Sequence, residues 1–451
     1  MTPAKPDATP TPCGCPEERS SLLTRRHLLR LSAAAGMITA TTSSQARVAF
    51  AAAPPDGAPA DTLVVISLRG GFDGLSAIVP VGDPAYAAAR PTIGVPASTL
   101  HRVDDMFGLH PAMAPLFPLW RAGTLGAVHA VGQSAPTRSH FEAMEQMERA
   151  APGSSLRTGW IDRTVGLLPA DRPEGGAFTA TQLNSPTVPA SLRGPHPKFA
   201  ARALRDVTLM LDERIVGLSA WERAVGAIHH GAADPVSGPV LAGLAAVRTL
   251  RDLPGAPVNR PPGAPRPGGE GQGDAAAQAG YPPGTLGTAL HDVARLVRSD
   301  LGLRFATVDV GDWDMHQGLG TVDKGWFTTK LTQLSLALAA FARDLGPDLG
   351  GVTVVTLSEF GRRVAENGSG GVDHGHGNAV LVMGGGVRGG RVYGRWPGLA
   401  PDALDDGDLA VTTDYRHLMA EILTRRCGVR SVGPVFPGLR PVPVGILTPR
   451  T

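Results

Sequence analysis

This sequence has few cysteines, few aromatic residues and almost no net charge. Its 451 residues include three cysteines, aromatic residues make up 5 %, and 42 basic residues nearly balance 40 acidic ones. So few cysteines exclude a small scaffold built on disulfides. The balanced charge gives no electrostatic basis for binding nucleic acid or an anionic membrane.

Glycine and proline are abundant instead, with 58 and 41 residues. This composition predicts long loops between short elements, and the length suffices for one large domain or two ordinary ones. Proline and glycine are densest at residues 253–283. We interpret that stretch as a flexible surface insertion, with a linker between two domains as the alternative.

The amino-terminal segment has the features of an export signal. A twin-arginine pattern, Arg25-Arg26, precedes a weakly apolar stretch at residues 31–40 that is too short and too polar for a stable membrane span. Small residues offer cleavage after Ala46 or after Ala53. We therefore predict a signal peptide and leader at residues 1–53 and folded export by the twin-arginine machinery to the periplasm or the exterior. The alternative is an amphipathic leader or a disordered basic tail.

Cleavage after Ala53 would change both the charge and the cysteine content. Six basic and three acidic residues would be lost, leaving 36 basic and 37 acidic residues. Cys13 and Cys15 would leave with the leader, so Cys427 would remain alone and no intramolecular disulfide could form.

Residues 54–451 alternate between strand and helix patterns. Short apolar runs at 63–68, 124–131, 304–310 and 351–357 predict strands buried on both faces. Helical spacing is found at 111–121, 141–150, 207–229, 286–300, 324–345 and 412–427. This alternation predicts an α/β domain, a largely parallel sheet with helices on both faces. In such sheets, active groups gather beyond the carboxyl ends of the strands.

Candidate metal ligands follow two of these strands. Asp73 comes after the first strand and a glycine pair, where it is either a ligand or a helix cap. Asp312, Asp314 and His316 would project to one side of an extended segment after the strand at 304–310. Two carboxylates and an imidazole on one side are typical of a divalent-cation site, with a solvated acidic loop as the alternative.

A further cluster follows the strand at 351–357. It begins Ser358-Glu359-Phe360, passes a glycine-rich loop, and reaches Asp373, His374 and His376. Oxygen and imidazole ligands between glycines favour a metal site over a chance polar loop.

Ser139 stands at the start of a predicted helix, with Arg138 before it. A serine at this position is either a cap or a nucleophile facing an anionic group. Arg138 is suited to holding a phosphate or sulfate oxygen.

Taken together, these motifs resemble the family called domain of unknown function 1501. The resemblance extends over residues 60–430 and rests on Ser67-Leu68-Arg69-Gly70-Gly71-Phe72-Asp73, Arg138-Ser139-His140-Phe141, Gly311-Asp312-Trp313-Asp314-Met315-His316, Ser358-Glu359-Phe360-Gly361-Arg362, Asp373-His374-Gly375 and the glycine-rich residues 384–394. That family is similar in fold to the alkaline phosphatases and sulfatases, and twin-arginine signals are common in it. The resemblance therefore implies an alkaline-phosphatase-like domain.

The resemblance also implies roles for single residues. Ser139 would attack phosphorus or sulfur in line, with Ser76 and Thr137 as weaker substitutes, and cations would neutralise charge on the transferred group. The resemblance implies Asp73 as a metal carboxylate. Asp312 or Asp314 with His316 would bind one ion, and Asp373 with His374 or His376 would bind the other.

The chain departs from the related phosphatases at one position. Those enzymes usually carry an Asp-His pair where this chain has Glu359-Phe360. Because Phe360 cannot bind a metal, one site would be incomplete or would depend on Glu359.

The resemblance implies a hydrolase of phosphate or sulfate esters, on small molecules or polymers, that uses zinc, manganese, calcium or magnesium. The alternative is a catalytically degenerate member of the fold that binds a ligand or a secreted partner. An oxidoreductase is disfavoured because the glycines of this sequence lack the context of a dinucleotide-binding site, in which a GxGxxG motif stands between a strand and a helix.

Overall fold

A computed structural model of the chain describes residues 61–134, 137–168, 176–207, 218–231, 236–251, 253, 275–299 and 301–450. The predicted signal segment at 1–53 and most of the predicted insertion at 253–283 lie outside these residues. Within them, no helix has the length and apolar character needed to cross a membrane.

The described strands form one large and one small sheet. The strands are β1 (Thr62–Leu68), β2 (Ile78–Val79), β3 (His101–Arg102), β4 (Gly108–Leu109), β5 (Leu125–Gly132), β6 (Ala180–Leu183), β7 (Phe199–Ala200), β8 (Phe305–Val310), β9 (Val352–Leu357), β10 (Asn378–Gly384), β11 (Val392–Tyr393) and β12 (Thr413–Asp414). The large sheet has the order β11-β5-β10-β9-β1-β8-β6-β7, with β12 also paired to β5. Strands β2, β4 and β3 form the small sheet.

The helices lie between these strands. They are α1 (Gly74–Ala77), α2 (Ala85–Ala89), α3 (Phe117–Arg121), α4 (His140–Arg149), α5 (Trp160–Val165), α6 (Leu218–His229), α7 (Ser237–Arg251), α8 (Ala275–Gln278), α9 (Thr285–Arg298), α10 (Trp326–Leu345) and α11 (Tyr415–Arg425). Short 3₁₀ segments occur at Ala97–Thr99, Pro111–Leu116, Ala190–Leu192, Leu204–Asp206, Gly346–Gly351 and Pro401–Ala403.

The large sheet is parallel except at β10. Strands β9, β1, β8, β6 and β7 are parallel neighbours, whereas β10 runs antiparallel to both β5 and β9. The reversal of β10 brings its amino end to the edge where its neighbours have their carboxyl ends. Strands β1, β8 and β9 also end level, since Leu68 pairs with Val310 and Ser67 pairs with Leu357.

Two apolar cores cover the two faces of this sheet. Val64, Ile66 and Leu68 of β1 pack in one core with α9 and α10, while Leu63 and Val65 pack in the other with α5 and α11. Alternate residues of a strand face opposite sides, so β1 needs apolar residues at every position to fill both cores.

The α/β architecture predicted from the sequence is therefore confirmed. The four predicted strands are found within one residue of their expected bounds, as β1, β5, β8 and β9. The predicted helix at 207–229 is described only from Leu218 onward. The helix predicted at 111–121 divides into a 3₁₀ segment and α3, because Pro115 and Pro118 each lack the amide hydrogen that an uninterrupted helix requires.

Candidate metal centre

Four chain segments meet at the edge of the sheet where β1, β5, β8 and β9 end and β10 begins. The segment after β5 leads into α4, whose cap is Ser139: its side chain accepts a hydrogen bond from the Glu142 amide, 3.5 Å away. This Ser-x-x-Glu pattern is typical of a capping box. The cap makes His140 the first residue of the helix and places it at the sheet edge.

Three imidazoles and one carboxylate converge at this edge. Nε2 of His374 lies 2.9 Å from Nε2 of His140 and 2.9 Å from Nε2 of His316. Oδ1 of Asp314 lies 3.4, 3.1 and 3.2 Å from Nε2 of His140, His316 and His374. The ligand atoms of His140, Asp314 and His374 all lie within 4.8 Å of one another.

Each imidazole is held through its other ring nitrogen. Nδ1 of His140 lies 2.7 Å from Oε1 of Glu359, and Nδ1 of His316 lies 2.7 Å from Oδ1 of Asp373. Nδ1 of His374 lies 2.8 Å from the backbone oxygen of Arg138. These oxygens accept hydrogen bonds, so Nδ1 of each ring carries a proton, and in a neutral imidazole Nε2 then presents a lone pair to the centre.

The ionisation of the cluster agrees with this assignment. Burial lowers the pKa of His374, which favours its neutral form. Partial burial opposes ionisation of Asp314, but hydrogen bonds and nearby positive charge, with Arg362 as the largest contributor, together outweigh it and lower the pKa of this carboxyl to about 2. Hydrogen bonds from His316 and Asn367 lower the pKa of Asp373.

With Nε2 of each ring facing the centre, acceptors lie against acceptors, an arrangement that a cation between them would stabilise. Three imidazole nitrogens and a carboxylate oxygen form a donor set typical of zinc and related transition metals. Tetrahedral zinc with bonds of about 2.0–2.1 Å has ligand atoms about 3.3 Å apart, and the contacts above span 2.9–3.4 Å. The residues therefore fit a divalent metal ion, with His140, Asp314 and His374 as the core set and His316 beside them.

The buried guanidinium of Arg362 holds the carboxylate of Asp314 in position. Its side chain is fully buried, and Nη2 lies 2.7 Å from Oδ1 of Asp314. The same guanidinium donates to the backbone oxygens of Gly70 and Gly71, after β1, and of Val372, before β10. One buried group thus fixes three of the segments that meet at the edge.

Gly70 is needed for the close contact between the β1 and β8 loops. It adopts φ +112°, and a Cβ at this position would lie 2.7 Å from the backbone nitrogen of Asp314. Any larger residue would push the Asp314 segment away from the centre.

The aromatic ring of Phe360 packs against two of the imidazoles. Its ring centroid is 4.8 Å from that of His140 and 4.9 Å from that of His374. Phe360, whose side chain cannot bind a metal, thus packs against two of the converging imidazoles.

Several predicted site residues are found in this cluster in different roles. The side-chain nitrogen or oxygen atoms of Asp314, His316 and His374 meet at the centre. Glu359 and Asp373 contact the imidazoles of His140 and His316.

Other predicted ligands have different partners. Both carboxylate oxygens of Asp73 contact buried Arg90, at 2.6 and 3.0 Å. Asp312 adopts φ +65°, which breaks the extended geometry assumed from the sequence, and its exposed carboxylate contacts Lys330 at 3.3 Å. His376 contacts the backbone oxygen of Gln133 at 3.0 Å.

The candidate hydroxyls and Arg138 also differ in their surroundings. Ser139 is exposed and caps α4. Thr137 contacts Glu142, and Ser76 is buried and accepts a hydrogen bond from Arg90. The guanidinium of Arg138 contacts Asp408 at 2.7 Å and Asp406 at 3.1 Å.

Two important residues were not identified as functional from the sequence. His140 lies in the Arg138-Ser139-His140-Phe141 motif and Arg362 in the Ser358-Glu359-Phe360-Gly361-Arg362 motif, but neither motif predicts a role for them. The signal for His140 was its place at a helix start after a strand, next to a capping serine. Nothing local distinguishes Arg362 from the neighbouring Arg363.

Comparison with known families gives one partial match. Residues 292–428 match the family model described as protein of unknown function (DUF1501). The motifs around Asp314, Glu359 and His374 lie inside the matched range, whereas those around Asp73 and Ser139 lie outside it. No curated protein matches the sequence.

Solved structures show only distant likeness. The C-terminal periplasmic domain of EcEptC from Escherichia coli, in complex with zinc, is 9 % identical, with 76 % of this chain and 77 % of that chain covered and a TM-score of 0.33. The sulfatase PsFucS1 from Pseudoalteromonas sp. is 11 % identical (74 % and 64 % covered, TM-score 0.29). The phosphonate monoester hydrolase of Agrobacterium radiobacter is 8 % identical (84 % and 78 % covered, TM-score 0.29). TM-scores this low support no conclusion about function.

Replacing His374 should abolish metal binding. His374→Ala removes the nitrogen that contacts His140, His316 and Asp314, so we expect stoichiometric zinc or another divalent metal in the wild type and less than a tenth of it in the variant. Elemental analysis of folded, exported protein measures this. His376→Ala, which removes an imidazole outside the cluster, should keep its metal. Equal loss in both folded variants, or no metal in the wild type, would contradict the site.

Replacing Glu359 should weaken metal binding without abolishing it. In Glu359→Gln, an amide replaces the carboxylate that fixes the tautomer of His140, and we expect metal affinity to fall about 10- to 100-fold. Competition with a chromophoric chelator measures the affinity. Glu145→Gln, the same change on the exposed face of α4, is the control. Unchanged affinity in Glu359→Gln would contradict a positioning role.

Proposed function

We propose that this chain is an exported, metal-dependent hydrolase of phosphate or sulfate esters. The observation that carries the proposal is the convergence of three imidazole Nε2 atoms and a carboxylate oxygen at one edge of the sheet. This cluster is also open to solvent: the side chains of His140, His316 and Asp314 are 28 %, 43 % and 46 % exposed. A closed structural metal site would leave no position for a substrate.

The metal we propose is zinc. Nitrogen-rich donor sets favour zinc over calcium and magnesium, which prefer oxygen. When bound, the ion would act as a Lewis acid toward an ester oxygen and would lower the pKa of a coordinated hydroxyl or water.

The protein's own contribution to the reaction would be to orient the side chains that hold the metal. Glu359, Asp373 and the Arg138 carbonyl each hold one imidazole with Nε2 inward, and Arg362 holds the carboxylate of Asp314. These contacts form before substrate arrives, so little reorganisation would be needed during the reaction.

Ser139 is the candidate nucleophile among the hydroxyls. Ser76 is buried against Arg90, and Thr137 contacts Glu142, whereas Ser139 is exposed and precedes His140 in the chain. Its hydroxyl would lose its proton to water and Oγ would attack phosphorus or sulfur, while the bond to the leaving oxygen breaks and that oxygen takes up a proton from water. Water would then release the group from Ser139.

A secreted binding protein is the second candidate. Phe360 packs where the related phosphatases carry a metal-binding histidine, and Arg90 neutralises Asp73. Both features favour one ion rather than two and are compatible with binding without turnover.

Turnover of two chromogenic esters distinguishes the candidates. For the hydrolase we expect zinc-loaded protein to cleave 4-nitrophenyl phosphate or 4-nitrophenyl sulfate, with kcat lowered at least about 100-fold in Ser139→Ala while its zinc content is unchanged. His374→Ala should lose both zinc and turnover. Full activity in Ser139→Ala would reject Ser139 as the nucleophile. Absence of turnover in zinc-loaded wild type would favour the binding protein.

A further inference from the structure

A short acidic turn at residues 405–408 packs beside the metal centre. Asp405 and Asp408 exchange two backbone hydrogen bonds, at 3.0 and 2.9 Å. The two residues between them have a left-handed backbone, with φ +50° at Asp406 and +82° at Gly407. These features are typical of a type I′ turn, which favours Asp-Gly at its centre. The turn therefore gives Asp408 a defined position.

The carboxylate of Asp408 is buried, and only one of its oxygens has a strong partner. Its side chain is 4 % exposed, and Oδ2 accepts a hydrogen bond from Nη2 of Arg138 at 2.7 Å. Among the described residues, Oδ1 has no hydrogen-bond partner, and Nε of Arg363 lies 3.7 Å away. Burying a carboxylate is costly unless its hydrogen-bonding capacity is met. A carboxylate kept at this cost indicates that its contact with Arg138 matters.

Arg138 connects this carboxylate to two residues of the metal cluster. Its backbone oxygen accepts a hydrogen bond from Nδ1 of His374 at 2.8 Å, and it stands two positions before His140. Its guanidinium also contacts Asp406 at 3.1 Å, but that carboxylate is 79 % exposed. Exposed ion pairs contribute little to stability. The buried contact with Asp408 is therefore the one that can hold Arg138 in place.

The backbone of the turn is attached to the segment that carries His374. Asp408 forms an antiparallel bridge with Arg363, whose amide donates to the backbone oxygen of Asp373 at 2.9 Å. The carboxylate of Asp408 thus extends from the His374 side of the centre to Arg138, at the start of α4. One ion pair joins two segments that supply imidazoles to the cluster.

We infer that Asp408 is a positioning residue of the metal centre. Its ion pair with Arg138 fixes the backbone oxygen that orients the imidazole of His374. Asp408 touches no member of the cluster itself, so its effect on the metal passes through Arg138. The inference rests on the metal centre of the proposed function and adds a residue outside the ligand set on which metal affinity depends.

Two matched substitutions test this role by zinc affinity. Asp408→Asn and Asp406→Asn each remove one negative charge that contacts Arg138, the first buried and the second exposed. We expect the zinc dissociation constant to rise about three- to tenfold in Asp408→Asn, less than for a direct partner of a ligand. In Asp406→Asn the change should stay below about twofold. Competition with a chromophoric chelator on the full-length protein, without substrate, measures both.

A double variant tests whether the effect passes through Arg138. Arg138→Ala removes the guanidinium and keeps the backbone oxygen that contacts His374. We expect it to lower zinc affinity, and adding Asp408→Asn should lower the affinity no further. The visible absorption of cobalt-loaded protein, which reports ligand geometry, should change in Asp408→Asn and not in Asp406→Asn.

The outcomes separate this inference from the proposed function. Equal zinc affinities or equal cobalt spectra in Asp408→Asn and Asp406→Asn would overturn the role of Asp408, and so would losses that multiply in the double variant. Unchanged affinity in Arg138→Ala would overturn it even if Asp408→Asn failed to fold. Zinc binding without ester turnover would reject the hydrolase alone. Absence of zinc binding in wild type would overturn both.

Discussion

The buried guanidinium of Arg362 is the constraint on which the metal centre depends. Burying a charge is costly unless its hydrogen-bonding capacity is met, and here backbone oxygens from Gly70, Gly71 and Val372 meet it together with the carboxylate of Asp314. Those partners come from distant parts of the sequence. The guanidinium of Arg362 keeps all of these hydrogen bonds only when each partner is in its place. This requirement fixes where the carboxylate of Asp314 faces the imidazoles.

The reversed strand β10 has an equally direct consequence. Because it runs against its neighbours, the segment before it delivers His374 to the edge where β5 delivers His140 and β8 delivers Asp314. Hydrogen-bond acceptors from three segments then face one another, and a cation bound between them would remove their repulsion. The fold and the proposed metal binding are thus coupled through the same few contacts.

The sequence predicted the architecture better than the site. A continuous apolar run in the sequence indicates a strand that is buried on both faces, so the positions of β1 and its parallel neighbours could be predicted. Asp314 and His374 were recognisable because ligand-type residues cluster after strands. The pairing of Asp73 with Arg90, and the left-handed backbone of Asp312, depend on tertiary contacts that no local pattern encodes. The orientation of the His140 imidazole likewise depends on Glu359, which lies 219 residues away in the chain.

The most direct test of the central claim is anomalous diffraction from crystals of the zinc-loaded protein, with data collected on both sides of the zinc absorption edge. The account predicts one strong anomalous peak per chain, within about 2.3 Å of Nε2 of His140 and His374 and of Oδ1 of Asp314. A strong peak beside Asp73 instead, or no peak between the imidazoles in a protein that retains zinc, would contradict it.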